Sequence, residues 1–156
     1  MFAGLTPEIC QQAWAIARPS LEAAVEAGVA NQLAGALVVL DPWTGEEVFL
    51  AEVDPAHPDA EKFVTYARGK ARLAWSTGMA SLAVRQDAPH LYREGDIKYP
   101  GGVVEHRLAV AFSGIQDEFD IALAGSVLRW IVALCQNGMR EVMAAKTPYI
   151  GGTPTA

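Results

Sequence analysis

Within residues 99–136 the chain passes through a glycine turn, an apolar run and the acidic opening of a long apolar helix, and this succession limits the folds open to it. Tyr99-Pro100-Gly101-Gly102 begins the stretch, and Val103 and Val104 follow. Glu105-His106-Arg107 interrupts it before Leu108-Ala109-Val110-Ala111-Phe112, and Ser113-Gly114 ends the apolar run. Asp117, Glu118 and Asp120 then head a helix expected over 117–136, where carboxylates are stabilised by the helix dipole. Ile121, Ala124, Leu128, Ile131 and Cys135 fall on its inner face. Val127, Trp130 and Leu134 widen that stripe beyond a single core seam, which asks for a second apolar cover. A buried strand and a helix N-terminus meeting at a glycine turn are the ingredients of a ligand crevice in an α/β domain.

Upstream, Thr6-Pro7-Glu8 is a helix start, with a hydroxyl cap, proline in the first turn and an acid against the dipole. Ile9, Ala13, Trp14, Ala17, Leu21, Ala24 and Val25 repeat at helical spacing, and Gly28 ends the run. Pro19 predicts a kink or two abutting helices. Residues 33–40 are apolar and branched, 41–45 carry turn chemistry and 47–53 alternate, which together predict a β-hairpin. After a loop over 54–59, Phe63, Val64, Ala67, Ala71, Ala74 and Trp75 share one side of a helix starting near Ala60. Gly78 breaks it, and a shorter helix is expected over 79–85. Residues 86–102 form a long polar and aromatic loop with two prolines and three glycines, of the kind that is usually functional or held by a partner. A single domain over 1–146 and a mobile tail over 147–156 complete the expectation.

Charge and cysteine content exclude several classes. Lys plus Arg number 12 and Asp plus Glu 18, for a net charge of −6. Non-specific nucleic-acid binding needs clustered cations, so none is expected. Charged residues make up only 19% against 51% hydrophobic. That leaves apolar surface to cover, and predicts a homo-oligomer. Cys10 and Cys135 form no CxxC pair and read as buried hydrophobes. No basic-then-apolar leader opens the chain, and the uncharged run near 27–40 is too short to span a bilayer. A cytoplasmic protein without membrane contact is expected.

Four of the 12 cations, Lys62, Arg68, Lys70 and Arg72, lie within eleven residues. Arg68 and Arg72 are i, i+4 neighbours on one face, which points Lys70 the other way. An inward ammonium needs an anionic partner: a ligand carboxylate, a haem propionate, or an Asp or Glu of the fold. His57, His90 and His106 are spaced for no metal site, and no metal is expected. One histidine is nonetheless enough as an axial haem ligand, and His90 and His106 lie nearest the glycine turn. Ser113 lacks the flanking glycines of a nucleophile elbow, and Gly101-Gly102 lacks the spacing of a nucleotide loop.

The order of these features (the opening helix, the hairpin, Lys70-Ala71, Gly78-Met79-Ala80-Ser81, Pro100-Gly101-Gly102, then Ser113-Gly114 with Asp120 and Ala122) resembles the GlcG/HbpS-like family of glycolate-operon and haem-binding proteins. It is also similar to the C-terminal domain of PduO-type adenosyltransferases. The resemblance implies an α/β (α+β) fold: a profilin-like antiparallel sheet of four to five strands with flanking helices. It also implies oligomeric assembly and, in some members, haem binding or an accessory role in catabolism. Lys70, Gly101, Gly102, Ser113 and Asp120 match the family pattern by position.

The primary expectation is therefore a small-molecule-binding accessory protein whose ligand is haem or an organic or aromatic acid. Trp75, His90, Tyr92, Lys98, Tyr99, Gly101, Gly102 and Ser113 would line the site, with Lys70 as charge partner. The alternatives are a small cofactor-independent isomerase or lyase, with Asp120 or Asp117 as base and Lys70 or Lys98 as anion binder, and a structural oligomer without ligand.

Overall fold

The computed structural model of the chain describes residues 1–152, so the last four residues of the expected tail, 153–156, lie outside the described residues. The elements run α1 (Pro7–Glu26), β1 (Gly35–Leu40), β2 (Glu47–Val53), α2 (Ala60–Thr77), α3 (Ser81–Asp87), a 3-10 turn at Pro89–Leu91, β3 (Gly102–Glu105), β4 (Leu108–Ser113) and α4 (Asp117–Ala144). The expected α/β fold is present: four antiparallel strands in the order β2-β1-β4-β3, flanked by helices. Among the described residues no helix is long and apolar enough to cross a membrane.

The sheet is covered on both faces because its central strands are apolar on both. Leu37, Val39, Val110 and Phe112 face α1 and α4 and join Trp14, Leu21, Val127 and Ile131 in the larger core. Ala36, Val38, Ala109 and Ala111 face α2, which meets them with Ala67, Ala71 and Ala74. Alanine against alanine lets α2 lie close to the sheet, so any long side chain of α2 directed inward must have a place built for it.

Two helix boundaries differ from expectation. Of the two outcomes expected at Pro19, the pair of abutting helices is not formed, and α1 continues from Pro7 to Glu26. A proline in the helix interior removes one backbone hydrogen bond and crowds the carbonyl four residues before it, and the buried face of Cys10, Ala13, Trp14, Ala17 and Leu21 holds the helix together across it. α4 passes the expected end at 136 and runs through Asn137-Gly138 to Ala144. There Phe2 packs against Gly138 so closely that a Cβ would touch its ring at 2.9 Å. A contact from the other end of the chain thus overrides a local stop signal.

The Glu105-His106-Arg107 interruption is the tip of a tight hairpin. Glu105 pairs with Leu108, and His106 and Arg107 take φ of 46° and 71°. Arg107 ties this tip to the β1–β2 turn, donating to the Pro42 carbonyl at 2.9 Å with its guanidinium 5.4 Å from the Trp43 ring.

Gly101 and Gly102 are buried where β3 passes under α2. A Cβ on Gly102 would overlap the Lys70 carbonyl, and one on Gly101 would come within 3.0 Å of the Lys70 ammonium. Ser81, at the head of α3, holds the pair in place: its Oγ accepts from the amides of Gly101 (3.1 Å) and Gly102 (2.9 Å) and donates to the Gly102 carbonyl (3.2 Å).

A backbone overlap cannot be relieved by a rotamer change. Gly102→Ala is therefore expected to cost more than about 3 kcal/mol in urea denaturation, above the usual range for point substitutions. Gly125→Ala, within α4 and with nothing near its missing Cβ, is expected to stabilise by about 0.5–1 kcal/mol. Equal effects would contradict the close-approach account.

Candidate functional site

Lys62, Tyr66 and Lys70 recur every four residues along α2 and so share one face of it. Lys62 and Tyr66 lie towards the rim, and Lys70 reaches the floor. Lys70 is 2% exposed and Asp120, from the first turn of α4, is also 2% exposed. The Lys70 ammonium donates to Asp120 Oδ2 at 2.9 Å and to the Phe112 carbonyl at 3.2 Å. Asp120 Oδ1 accepts from the Ile115 amide at 3.1 Å, just before α4 begins. The inward direction of Lys70 read from Arg68 and Arg72 is what the fold adopts, with an internal aspartate as partner. Arg68 points outward to Glu47, at 2.8 and 3.2 Å.

A cavity of about 300 Å³ opens over this pair, lined also by Ser113, Tyr66, Tyr99 and Asp117. Ser113 is only 4% exposed. The ring centroids of Tyr66 and Tyr99 lie 5.8 Å apart on the wall. At the rim Lys62 pairs with Asp59 at 3.5 Å. Gln32 braces the opposite side, donating to the Gly114 carbonyl at 2.5 Å and meeting His57 Nε2 at 3.2 Å. His57 Nδ1 accepts from the Asp59 amide, so the proton facing Gln32 is on Nε2. Larger grooves, of about 430 and 550 Å³, run along Arg68 and Arg72. Arg68 and Arg72 are exposed in both, whereas the smaller cavity is the one with a buried ion pair at its floor.

Burial raises the Asp120 carboxyl to about 6, outweighing the Lys70 ammonium and the Ile115 amide, which pull it down, while Asp117 adds to the rise. The folded value lies above the ordinary 3.8, so the native state holds this proton more tightly than the unfolded chain does. From this group, stability is greatest at low pH and is lost as pH rises through about 6.

The other expected site residues separate into groups. Lys70, Tyr99, Ser113 and Asp120 line one cavity. Gly101 and Gly102 lie buried against Lys70, as described above. Trp75 turns to the β1–β2 hairpin, donating to the Pro42 carbonyl at 3.2 Å. Lys98 is exposed, its ammonium 5.8 Å from the Tyr99 ring. His90 is exposed in the 3-10 turn, and Tyr92 half-buried beyond it. Burial pushes the Cys10 thiol up to about 12, which leaves it inert as a nucleophile at neutral pH. Tyr66, Gln32 and Asn31 escaped the sequence reading. Tyr66 was within reach, one helical turn before an inward lysine, whereas Asn31 and Gln32 are brought in only by the fold.

Neither a family model nor a curated protein sequence matches this chain. Solved structures do. The Klebsiella pneumoniae protein ORFY, of the DUF336 family, is 22% identical over 85% of this chain and 94% of its own, with a TM-score of 0.63. PduOC, solved as a haem complex, is 17% identical over 82% of this chain and 95% of its own, with a TM-score of 0.58. The chain shares their fold, as the resemblance in its sequence implied.

A buried pair broken on one side leaves an uncompensated charge, at a cost of about 3–5 kcal/mol. Lys70→Met, which leaves the Asp120 carboxylate alone, is expected to lose that much at pH 8, Asp120→Asn, neutral like the protonated carboxyl, to lose less, and Lys70→Met/Asp120→Leu to recover most of the Lys70→Met loss. Lys70→Met should be milder at pH 5, where Asp120 can take up a proton. Chemical denaturation of the three variants checks this, and a double variant no more stable than Lys70→Met would contradict the pairing.

Proposed function

We propose that this chain, on a fold it shares with ORFY and PduOC, binds a small organic acid in the cavity over Lys70 and Asp120. The observation that carries the reading is the lysine buried at the cavity floor. A buried ion pair adds little stability over apolar side chains of the same volume, so its retention beside a cavity favours a role in binding. Lys70 has three N–H donors and places two of them on protein oxygens. The third, with the Ser113 hydroxyl, offers a place for a carboxylate.

Asp120 would act as a counter-charge that yields to the ligand. When it is ionised it occupies Lys70; when it is protonated the ammonium is free for the acid. The other titratable groups on the cavity are Asp59, Lys62, Tyr66 and Lys70 of α2 and its approach, Asp117 of α4, and Tyr99. Asp59 and Lys62 offset each other at the rim.

Haem, the ligand of PduOC, is favoured less in this cavity than a small acid. The lining contains no histidine, cysteine or methionine, which leaves Tyr66 and Tyr99 as the side chains there of a type that can ligate haem iron. His90 and His106 stand on exposed turns outside the lining. A second reading, proton transfer on the bound acid, is favoured by the value of about 6 at Asp120, which suits a general base near neutral pH. Solvent deuterium entering the α-carbon of a bound acid, and lost in Asp120→Asn, is the result expected of that reading. We also propose a homo-oligomer through the edge of α4 that carries Trp130, which is 43% exposed. Sedimentation at several concentrations should give a mass above 16.7 kDa, and a constant monomer would contradict it.

Binding of butyrate, followed by calorimetry, tests the primary reading. Affinity is expected to be about 20-fold higher at pH 5.5 than at pH 7.5, since one proton is taken up with the anion. In Asp120→Asn that dependence should disappear, and in Lys70→Met, checked for folding by circular dichroism, binding should be lost. Butyrate binding that is absent, or equal at both pH values, contradicts the proposal.

A further inference from the structure

The charges around the cavity do not balance. Lys62 is matched by Asp59 and Lys70 by Asp120. Asp117 lines the same cavity and has no ion-pair partner among the described residues. Its charge is felt at the floor, where it opposes ionisation of Asp120. The same cavity has an aromatic part to its lining, the tilted rings of Tyr66 and Tyr99. Ser113, 96% buried by its 4% exposure, lines the cavity and holds no side-chain hydrogen bond among the described residues. An unmatched carboxylate in a cavity with aromatic faces suits a cation, because the ring faces attract positive charge. No set of three or more metal-ligating side chains converges among the described residues, so the cation that suits this lining is an organic one.

We infer that the ligand carries an ammonium group as well as a carboxylate, the ammonium set against Asp117 beneath Tyr66 and Tyr99 and the carboxylate on Lys70 and Ser113. This rests on the organic-acid reading and narrows it to small amino acids. A zwitterion also meets the electrostatic demand of the cavity better than a simple acid. It satisfies Lys70 when Asp120 gives way, and supplies the positive charge that Asp117 lacks.

The test uses the full chain and four compounds of equal carbon number, measured by calorimetry at pH 6: butyrate, n-butylamine, L-2-aminobutyrate and 4-aminobutyrate. At least one aminobutyrate is expected to bind about tenfold more tightly than butyrate, the gain of one ammonium in a partly desolvated aromatic site. Asp117→Asn, an exposed position whose change leaves the core untouched, should shrink that ratio to about twofold or less. Butyrate binding as tightly as both aminobutyrates, or a ratio unchanged in Asp117→Asn, overturns the inference while leaving the organic-acid reading in place. If butyrate and both aminobutyrates all fail to bind, that reading fails and the inference falls with it.

Discussion

An ammonium and a carboxylate held 2.9 Å apart and almost wholly out of water are the constraint around which this end of the molecule is arranged. Either charge alone in such a place would be too costly to keep. Each is satisfied by a different layer: Lys70 also reaches the carbonyl of Phe112 on β4, and Asp120 the amide of Ile115 before α4. The pair therefore fastens α2, the central sheet and α4 to one another at a single point. Movement of any of the three would leave a buried charge unmatched.

The packing around the pair follows from the same demand. A lysine stem on the inner face of a helix lies against the sheet only if the strand beneath gives way, and Gly101 and Gly102 do so. Ser81 replaces what the glycines lack in side-chain packing by bonding their backbone directly. Alanines make up much of the rest of the interface, Ala67, Ala71 and Ala74 against Ala36, Ala109 and Ala111, and the lysine is the largest side chain of α2 buried below 3% exposure. Such a device is more than a core needs, since methionine or leucine would fill the same volume without the glycines or the counter-ion. The cavity above it gives the device a use.

Much of this was legible from local rules. The direction of Lys70 followed from the placement of Arg68 and Arg72 on one helical face, and the need for an anion followed from that direction. That the chain mixes helices and strands followed from the hairpin, the branched runs and the helical spacing, whereas the antiparallel sheet with flanking helices was what the family resemblance implied. What was not legible depended on distant contacts or on helical phase. Trp75 is five residues from Lys70, about 140° around the helix at 3.6 residues per turn, so the two cannot face one cavity however close they are in sequence. Gly101 and Gly102 read as a pocket edge, yet they serve the packing of a lysine thirty residues away, a role no local pattern encodes. α4 runs on past Gly138 to Ala144, where Phe2 from the opposite end of the chain packs against that glycine.

The central claim is that Asp120 is held part-way between its charged and neutral forms so that a ligand can take its place on Lys70. The most direct measurement is an NMR titration of the Asp120 side-chain carboxyl, alone and with saturating butyrate. The account predicts a midpoint of about 6 in the free protein, moving upward when the acid is bound. A midpoint in the ordinary aspartate range near ~4, unmoved by butyrate, would contradict it.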